Sequence, residues 1–158
     1  RRFVRLLRLG GTAALPTYFE IVERPDSQAE VNPVSRRTSA RVVLLDQTGA
    51  VLLLRGSDPA IDDPDRPAPR WWFTVGGAVQ PGEDLAAAAA RELVEETGLQ
   101  AAPADLVGPV WRRDAVIDFT ASVIRSEEYF FIHRTARFEP SATGRTTLER
   151  HYIHGHRW

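Results

Sequence analysis

A chain of 158 residues, 43% hydrophobic and 26% charged, has the size and polarity of one compact globular domain. Its net charge of −1 offers no basic field for bulk nucleic acid, and the lack of Cys excludes a disulfide scaffold, a thiolate nucleophile and Cys-ligated zinc. All twenty basic residues are Arg, which removes Schiff-base chemistry and a P-loop lysine but leaves bidentate phosphate binders.

Residues 1–10, RRFVRLLRLG, read as a short basic amphipathic segment, able to face an anionic surface or to pack on the domain or a second subunit. Residues 11–35 are loop-like, with three prolines and one short strand expected at 18–22. Residues 1–35 are therefore expected to form an N-terminal extension, a candidate homodimer element, ahead of a domain spanning 36–158. No apolar run reaches transmembrane length and no signal peptide pattern is present, so no membrane partner and a cytoplasmic location are expected.

Residues 39–45 and 50–55 are β-branched and aliphatic runs separated by Asp46-Gln47-Thr48-Gly49, a hairpin signature. Arg55 closes the second run as a candidate substrate-binding guanidinium. Residues 56–70 hold four prolines and four aspartates and read as a surface loop, either substrate-facing or a disordered insertion. Residues 71–75, WWFTV, predict a strand in which Trp72 points opposite to Trp71 and Phe73. Trp72 is a candidate for stacking a nucleobase, with core or loop packing as the alternative.

That strand runs into Gly76-Gly77, where backbone can approach a ligand without a side chain intervening. Gln80-Pro81-Gly82-Glu83 places Pro and Gly as a type II turn requires. Asp84 is then the expected N-cap, five alanines favour helix, and Gly98 with Leu99 ends it in a left-handed cap. On this helix Glu92, Glu95 and Glu96 fall at about 0°, 300° and 40°, a single face. The far side, with Leu93, Ala86, Thr97, Ala90, Val94 and Ala87, is expected to lie on a sheet. Like charges at such spacing weaken a helix. A hard divalent cation would reverse that, since carboxylate oxygens are its natural ligands; a solvated acidic stripe is the alternative.

Beyond the helix, residues 105–111 predict a strand, and 113–119 with 123–133 a long antiparallel pair. Glu127 and Glu128 interrupt the second of these, either as an edge or solvent-facing charge pair or as a further carboxylate facing the glutamate helix. Residues 146–158 contain His151, His154 and His156, read as part of a terminal helix or turn rather than a metal cluster.

The 23 residues 77–99 resemble the Nudix box, GX5EX7REUXEEXGU with U aliphatic: Gly77, Glu83, Arg91, Glu92, Leu93, Glu95, Glu96, Gly98 and Leu99 fill each fixed position. The resemblance implies an α/β (α+β) fold, the α/β/α Nudix sandwich with a mixed sheet between helices. It further implies Mg²⁺-dependent hydrolysis, with Mn²⁺ as a substitute, of a diphosphate bond in a small nucleoside diphosphate derivative. Glu92, Glu95 and Glu96 would hold metal, with the Gly77 carbonyl and Glu128 as further ligands. Arg91 would pair with Glu83 to fix the glutamate rotamers. The general base is expected at Glu95 or Glu96, then at Glu127 or Glu128; Glu127 is also a candidate substrate contact.

Markers of relatives cleaving ADP-ribose, dinucleoside polyphosphates or coenzyme A are absent, residues 114–117 reading Asp-Ala-Val-Ile, and the isomerase cysteine is missing. Oxidised nucleoside triphosphates, nucleotide sugars and CDP-alcohols stay open. The alternative is a catalytically inactive Nudix module that senses or binds nucleotides, although such modules usually lose box glutamates and this chain has lost none.

Overall fold

A computed structural model describes residues 34–158 apart from 62–64, 66 and 121. The expected basic segment at 1–10 and strand at 18–22 lie outside the described residues. Among the described residues, seven strands, two helices and one 3-10 turn at Pro103–Asp105 follow in the order β1 (Val34–Leu45), β2 (Leu53–Ser57), β3 (Arg70–Phe73), β4 (Val75–Ala78), α1 (Leu85–Thr97), β5 (Val107–Phe119), β6 (Ser122–Arg134), α2 (Thr147–Tyr152) and β7 (Ile153–Arg157).

The strands form two sheets. One has the order β4-β1-β6-β5, and in it β1 runs parallel to β6 from Val34↔Val123 to Leu45↔Arg134. The other is antiparallel, β3-β2-β7. Parallel pairing needs a long crossover, here the whole stretch carrying α1.

Several sequence expectations are corrected. The runs at 39–45 and 50–55 do not make an ordinary hairpin; they touch through a single bridge, Leu45↔Val51, and then join different sheets. The tip between them is fixed by Asp46, whose Oδ1 accepts from Thr48 N (2.8 Å) and Ala50 N (2.9 Å) while Oδ2 accepts from Arg137 Nε (2.8 Å). The expected strand at 71–75 breaks at Thr74 into β3 and β4, again in separate sheets. Where strands at 105–111 and 113–119 were expected, one strand runs Val107–Phe119, and Asp105 ends the 3-10 turn before it.

The helix matches its prediction in extent. Asp84 occupies the N-cap with extended backbone but without a side-chain cap bond, and Gly98 closes the helix at φ 77° with its N–H donating to Val94 O (2.8 Å). Packing differs from the expected two-sided pattern. Ala88, Ala89 and Leu93 join Ala40, Val42, Leu44 and Phe131 in the core, Val94 is exposed, and on the acidic face Glu92 and Glu96 are buried. Small alanines let α1 approach β1 and β4 closely, and this draws two of its three carboxylates out of water. The tail is likewise more structured than expected: α2 leads directly into β7, which pairs with β2.

Candidate active site

The site forms where the glycine strand β4 passes under α1. Gly76 has φ 130°, a backbone suited to glycine, and its N–H donates to Glu96 Oε2 at 2.8 Å. A Cβ at Gly77 would stand 2.6 Å from both carboxylate oxygens of Glu92, so only glycine leaves room for that side chain. The turn from Gln80 to Glu83 closes with Glu83 N donating to Gln80 O (3.0 Å) and Gly82 at φ 79°, as its sequence predicts.

Arg91 ties these parts together. Its Nε donates to Glu83 Oε1 (2.9 Å), Nη2 to Glu83 Oε2 (3.0 Å) and Ala78 O (2.9 Å), and Nη1 to Glu92 Oε1 (2.8 Å) and Glu95 Oε2 (2.9 Å). One guanidinium thus spans turn, strand and helix, a geometry its planar fork permits and an ammonium would not. Its bond to Glu83, joined by those to Glu92, raises the Arg91 pKa further, and the Glu83 carboxyl is held below its ordinary value.

Burial acts in the same direction on the two enclosed glutamates. Burial raises the Glu92 pKa against the opposing bond from Arg91, and burial pushes Glu96 up to about 8 against the Gly76 N–H. Glu95 remains one-third exposed.

A carboxylate absent from the sequence expectations completes the patch. Glu149, on α2, places a carboxylate oxygen in a group with those of Glu92 and Glu95, all within 4.8 Å of one another. Three carboxylate oxygens at this separation could hold a hard divalent cation, while Arg91 bonds Glu92 and Glu95 and Thr146 bonds Glu149. Thr146-x-x-Glu149 is a capping box, Thr146 Oγ1 accepting from Glu149 N and the carboxylate returning to Thr146 N (2.6 Å), so the pattern could have announced the helix though not its partner.

The other expected site residues are dispersed. Strand alternation sends Glu127 and Glu128 to opposite faces of β6. Glu128 is fully buried, and its oxygens accept from Arg41 (Nη2, 2.9 Å) and Arg113 (Nε, 2.6 Å). The group within 4.8 Å consists of Glu92, Glu95 and Glu149, and Glu128 is held by the two arginines instead. Burial would raise its pKa, but Arg41 and Arg113 outweigh that and hold it below the ordinary value. Glu127 bonds Tyr129 Oη (2.9 Å) and Arg112 Nε (2.7 Å) and lines a separate groove of about 660 Å³ with Arg36 and Arg125. Arg55 and Trp72 are cross-strand partners in the three-stranded sheet, the guanidinium 5.7 Å from the ring centroid, and Trp72 is 45% exposed. The histidines do not gather: His151 meets Thr147 O, His154 meets Ser57 Oγ (2.6 Å) and His156 meets Glu139 (3.3 Å).

The sequence model of the NUDIX domain family matches residues 35–158. The chain belongs to the NUDIX domain family. Among solved structures it is similar to the MutT protein from Methanosarcina mazei Go1 (22% identity, TM-score 0.51, covering 78% of this chain and 76% of that one). It is also similar to the E. coli dihydroneopterin triphosphate pyrophosphohydrolase (24% identity, TM-score 0.55, covering 80% and 82%). At these identities the structures bear on the fold, which is the mixed α+β arrangement expected. No curated protein matches the chain by sequence. Family and intact box together make this a Nudix hydrolase. Nudix hydrolases generally use divalent metals, and the Glu cluster could hold one. Among the described residues no helix is long and apolar enough to cross a membrane.

Proposed function

We propose that this Nudix hydrolase cleaves the phosphoanhydride bond of a nucleoside diphosphate derivative with Mg²⁺, or Mn²⁺ in its place. The observation that carries the reading is the convergence of Glu149 from α2 on Glu92 and Glu95 from α1, 4.8 Å or less apart. Glu92, Glu95 and Glu149 would hold the cation, with the Gly77 carbonyl beside Glu92 as a further oxygen donor. Bound there, Mg²⁺ supplies charge neutralisation for the diphosphate oxygens and a template for its orientation.

The protein's own groups supply the remainder. Arg91 and Glu83 keep the glutamates in register through five hydrogen bonds that cross turn, strand and helix. Glu96, enclosed and bonded to Gly76 N, fixes the glycine strand against the helix. Glu95, the box glutamate open to water, is the proton acceptor for the attacking water. Exposed Trp72 and half-buried Arg55 form a cation–aromatic pair suited to a nucleobase or phosphate of the bound nucleotide. The chain would act in the cytoplasm, with residues 1–35 available for dimer formation.

Turnover of a panel of nucleoside diphosphate derivatives, with Mg²⁺ and with EDTA, tests this reading. Metal-dependent release of a nucleoside monophosphate is expected. A chain that binds nucleotides yet cleaves none in Mg²⁺ or Mn²⁺ would instead be a sensing module.

A further inference from the structure

A free sheet margin presents backbone N–H and C=O groups that can pair with another strand, and natural proteins keep such edges short or blunt them. Three of the four margins here are short: β3 and β4 have four residues each and β7 has five. The fourth, β5, is 13 residues long and pairs only with β6 among the described residues. Pro109, which has no N–H to donate, and the register shift between Val107 and Trp111 protect its first residues. Beyond them the ladder to β6 is regular from Trp111↔Phe130 to Phe119↔Ser122, with no further proline or bulge.

Side chains along this margin leave large apolar groups in water. Val110 is 50% exposed, Trp111 57% and Val116 60%, although Trp111 stacks on buried Phe130 with ring centroids 4.6 Å apart. Alternation puts Arg112, Asp114 and Val116 on one face and Trp111, Arg113 and Ala115 on the other. A two-fold axis perpendicular to the sheet pairs two copies of a strand antiparallel and keeps each face continuous with its own image. With that axis through Arg113, Arg112 of each copy lies opposite Asp114 of the other, Val116 opposite Val110, and Trp111 opposite the small Ala115. An axis through Asp114 would set that acid against itself, and one through Arg112 would oppose two arginines without an acid between them. The chosen register also brings two Arg113 side chains together, but each already holds its own Glu128 at 2.6 Å.

We propose that two copies of this chain pair through β5, antiparallel about Arg113, and so join their four-stranded sheets into one of eight strands. Charge complementarity selects a second copy as the occupant, because the Arg112–Asp114 run is satisfied twice over by its own image. Asp114 is free to serve in this way: its side chain is 79% exposed, and its bond from Arg112 of the same strand is long, at 3.4 Å. The interface belongs to the described domain and makes no use of residues 1–35. In the joined sheet the two β4 strands lie at the far margins, about 34 Å apart across seven strand spacings, so pairing covers neither glycine strand.

Analytical ultracentrifugation of the whole chain tests the pairing. At about 50 µM the wild type is expected to sediment as a dimer, and Arg112→Asp or Asp114→Arg alone as monomers, since each single variant sets like charges opposite one another twice. An equimolar mixture of the two single variants is expected to return to dimer, because two acids of one chain then oppose two arginines of the other. A role in folding alone would not give that rescue. The chain has no Cys, so register can be read by cross-linking: under oxidising conditions Arg113→Cys is expected to form a disulfide-linked dimer, and Ala115→Cys, on the same face but off the axis, is not. A monomeric wild type, dimers in both single variants, a mixture that stays monomeric, or cross-linking that favours Ala115→Cys would each overturn the proposal.

Discussion

Gly77 and Glu92 meet so closely that the glycine's missing Cβ is what the glutamate's carboxylate occupies, with 2.6 Å from the would-be carbon to either oxygen. The clash would fall on the end of a flexible side chain, so the site should suffer before the fold does. Gly77→Ala is expected to lower kcat/KM by about a hundredfold, on the order of 2.7 kcal/mol of barrier, while the melting temperature changes little. Steady-state turnover beside thermal melts would check the split.

Glu149 lies outside the motif and would be overlooked by any search confined to it. If its oxygen completes the cation site with Glu92 and Glu95, Glu149→Gln should raise the half-saturating Mg²⁺ concentration about tenfold or more. Glu139→Gln, which alters an exposed carboxylate paired with His156, should leave the metal titration unchanged. An unchanged titration in Glu149→Gln would remove that residue from the site.

Glu128 makes a different prediction. Its full burial between Arg41 and Arg113 means that truncation strands at least the Arg41 guanidinium, whose side chain is 12% exposed. Glu128→Ala should cost about 3–5 kcal/mol of stability by urea unfolding, and Glu128→Gln less, because the amide oxygen still accepts a hydrogen bond.

The acid deep under α1 gives the metal-free protein a pH signature. Burial raises Glu96 from its ordinary 4.5 to about 8, so the folded state binds its proton more tightly than the unfolded chain. Its contribution to stability is complete below pH 4.5 and is lost as pH climbs toward 8. Denaturant unfolding in EDTA across that range should show the decline, and Glu96→Gln should flatten it. A decline of equal size in both proteins would assign it elsewhere.

Much of this site was legible because one helix carries it. The i, i+3, i+4 spacing of Glu92, Glu95 and Glu96, the Gln80–Glu83 turn and the Gly98 stop are local facts, and local facts survive folding. What escaped was set by distant pairing. Glu149 belongs to a six-residue helix whose own pattern says nothing about where its carboxylate lands. The sheet change at Thr74 leaves no mark in an unbroken apolar run. Glu127 and Glu128 looked like a unit in sequence, yet the two-residue period of a strand separates them, one into a groove and the other under two arginines. The acidic face of α1 was read as a cation site, with a solvated stripe as the alternative, and neither reading gave its burial; tight packing of Ala88 and Ala89 carried Glu92 and Glu96 inward.

The parallel ladder between β1 and β6 has a consequence for how the chain comes to be made. Arg41 and Glu128 stand 87 positions apart, and Leu53 waits for Arg157. A ribosome delivers the whole glutamate helix well before either sheet can be completed, so the newborn segment must persist with its alanine side uncovered. Maturation is therefore gated by the late strands: active protein should emerge only after synthesis has passed Arg157, and a polymerisation-arrested fragment ending after α1 should be captured by chaperones rather than by substrate.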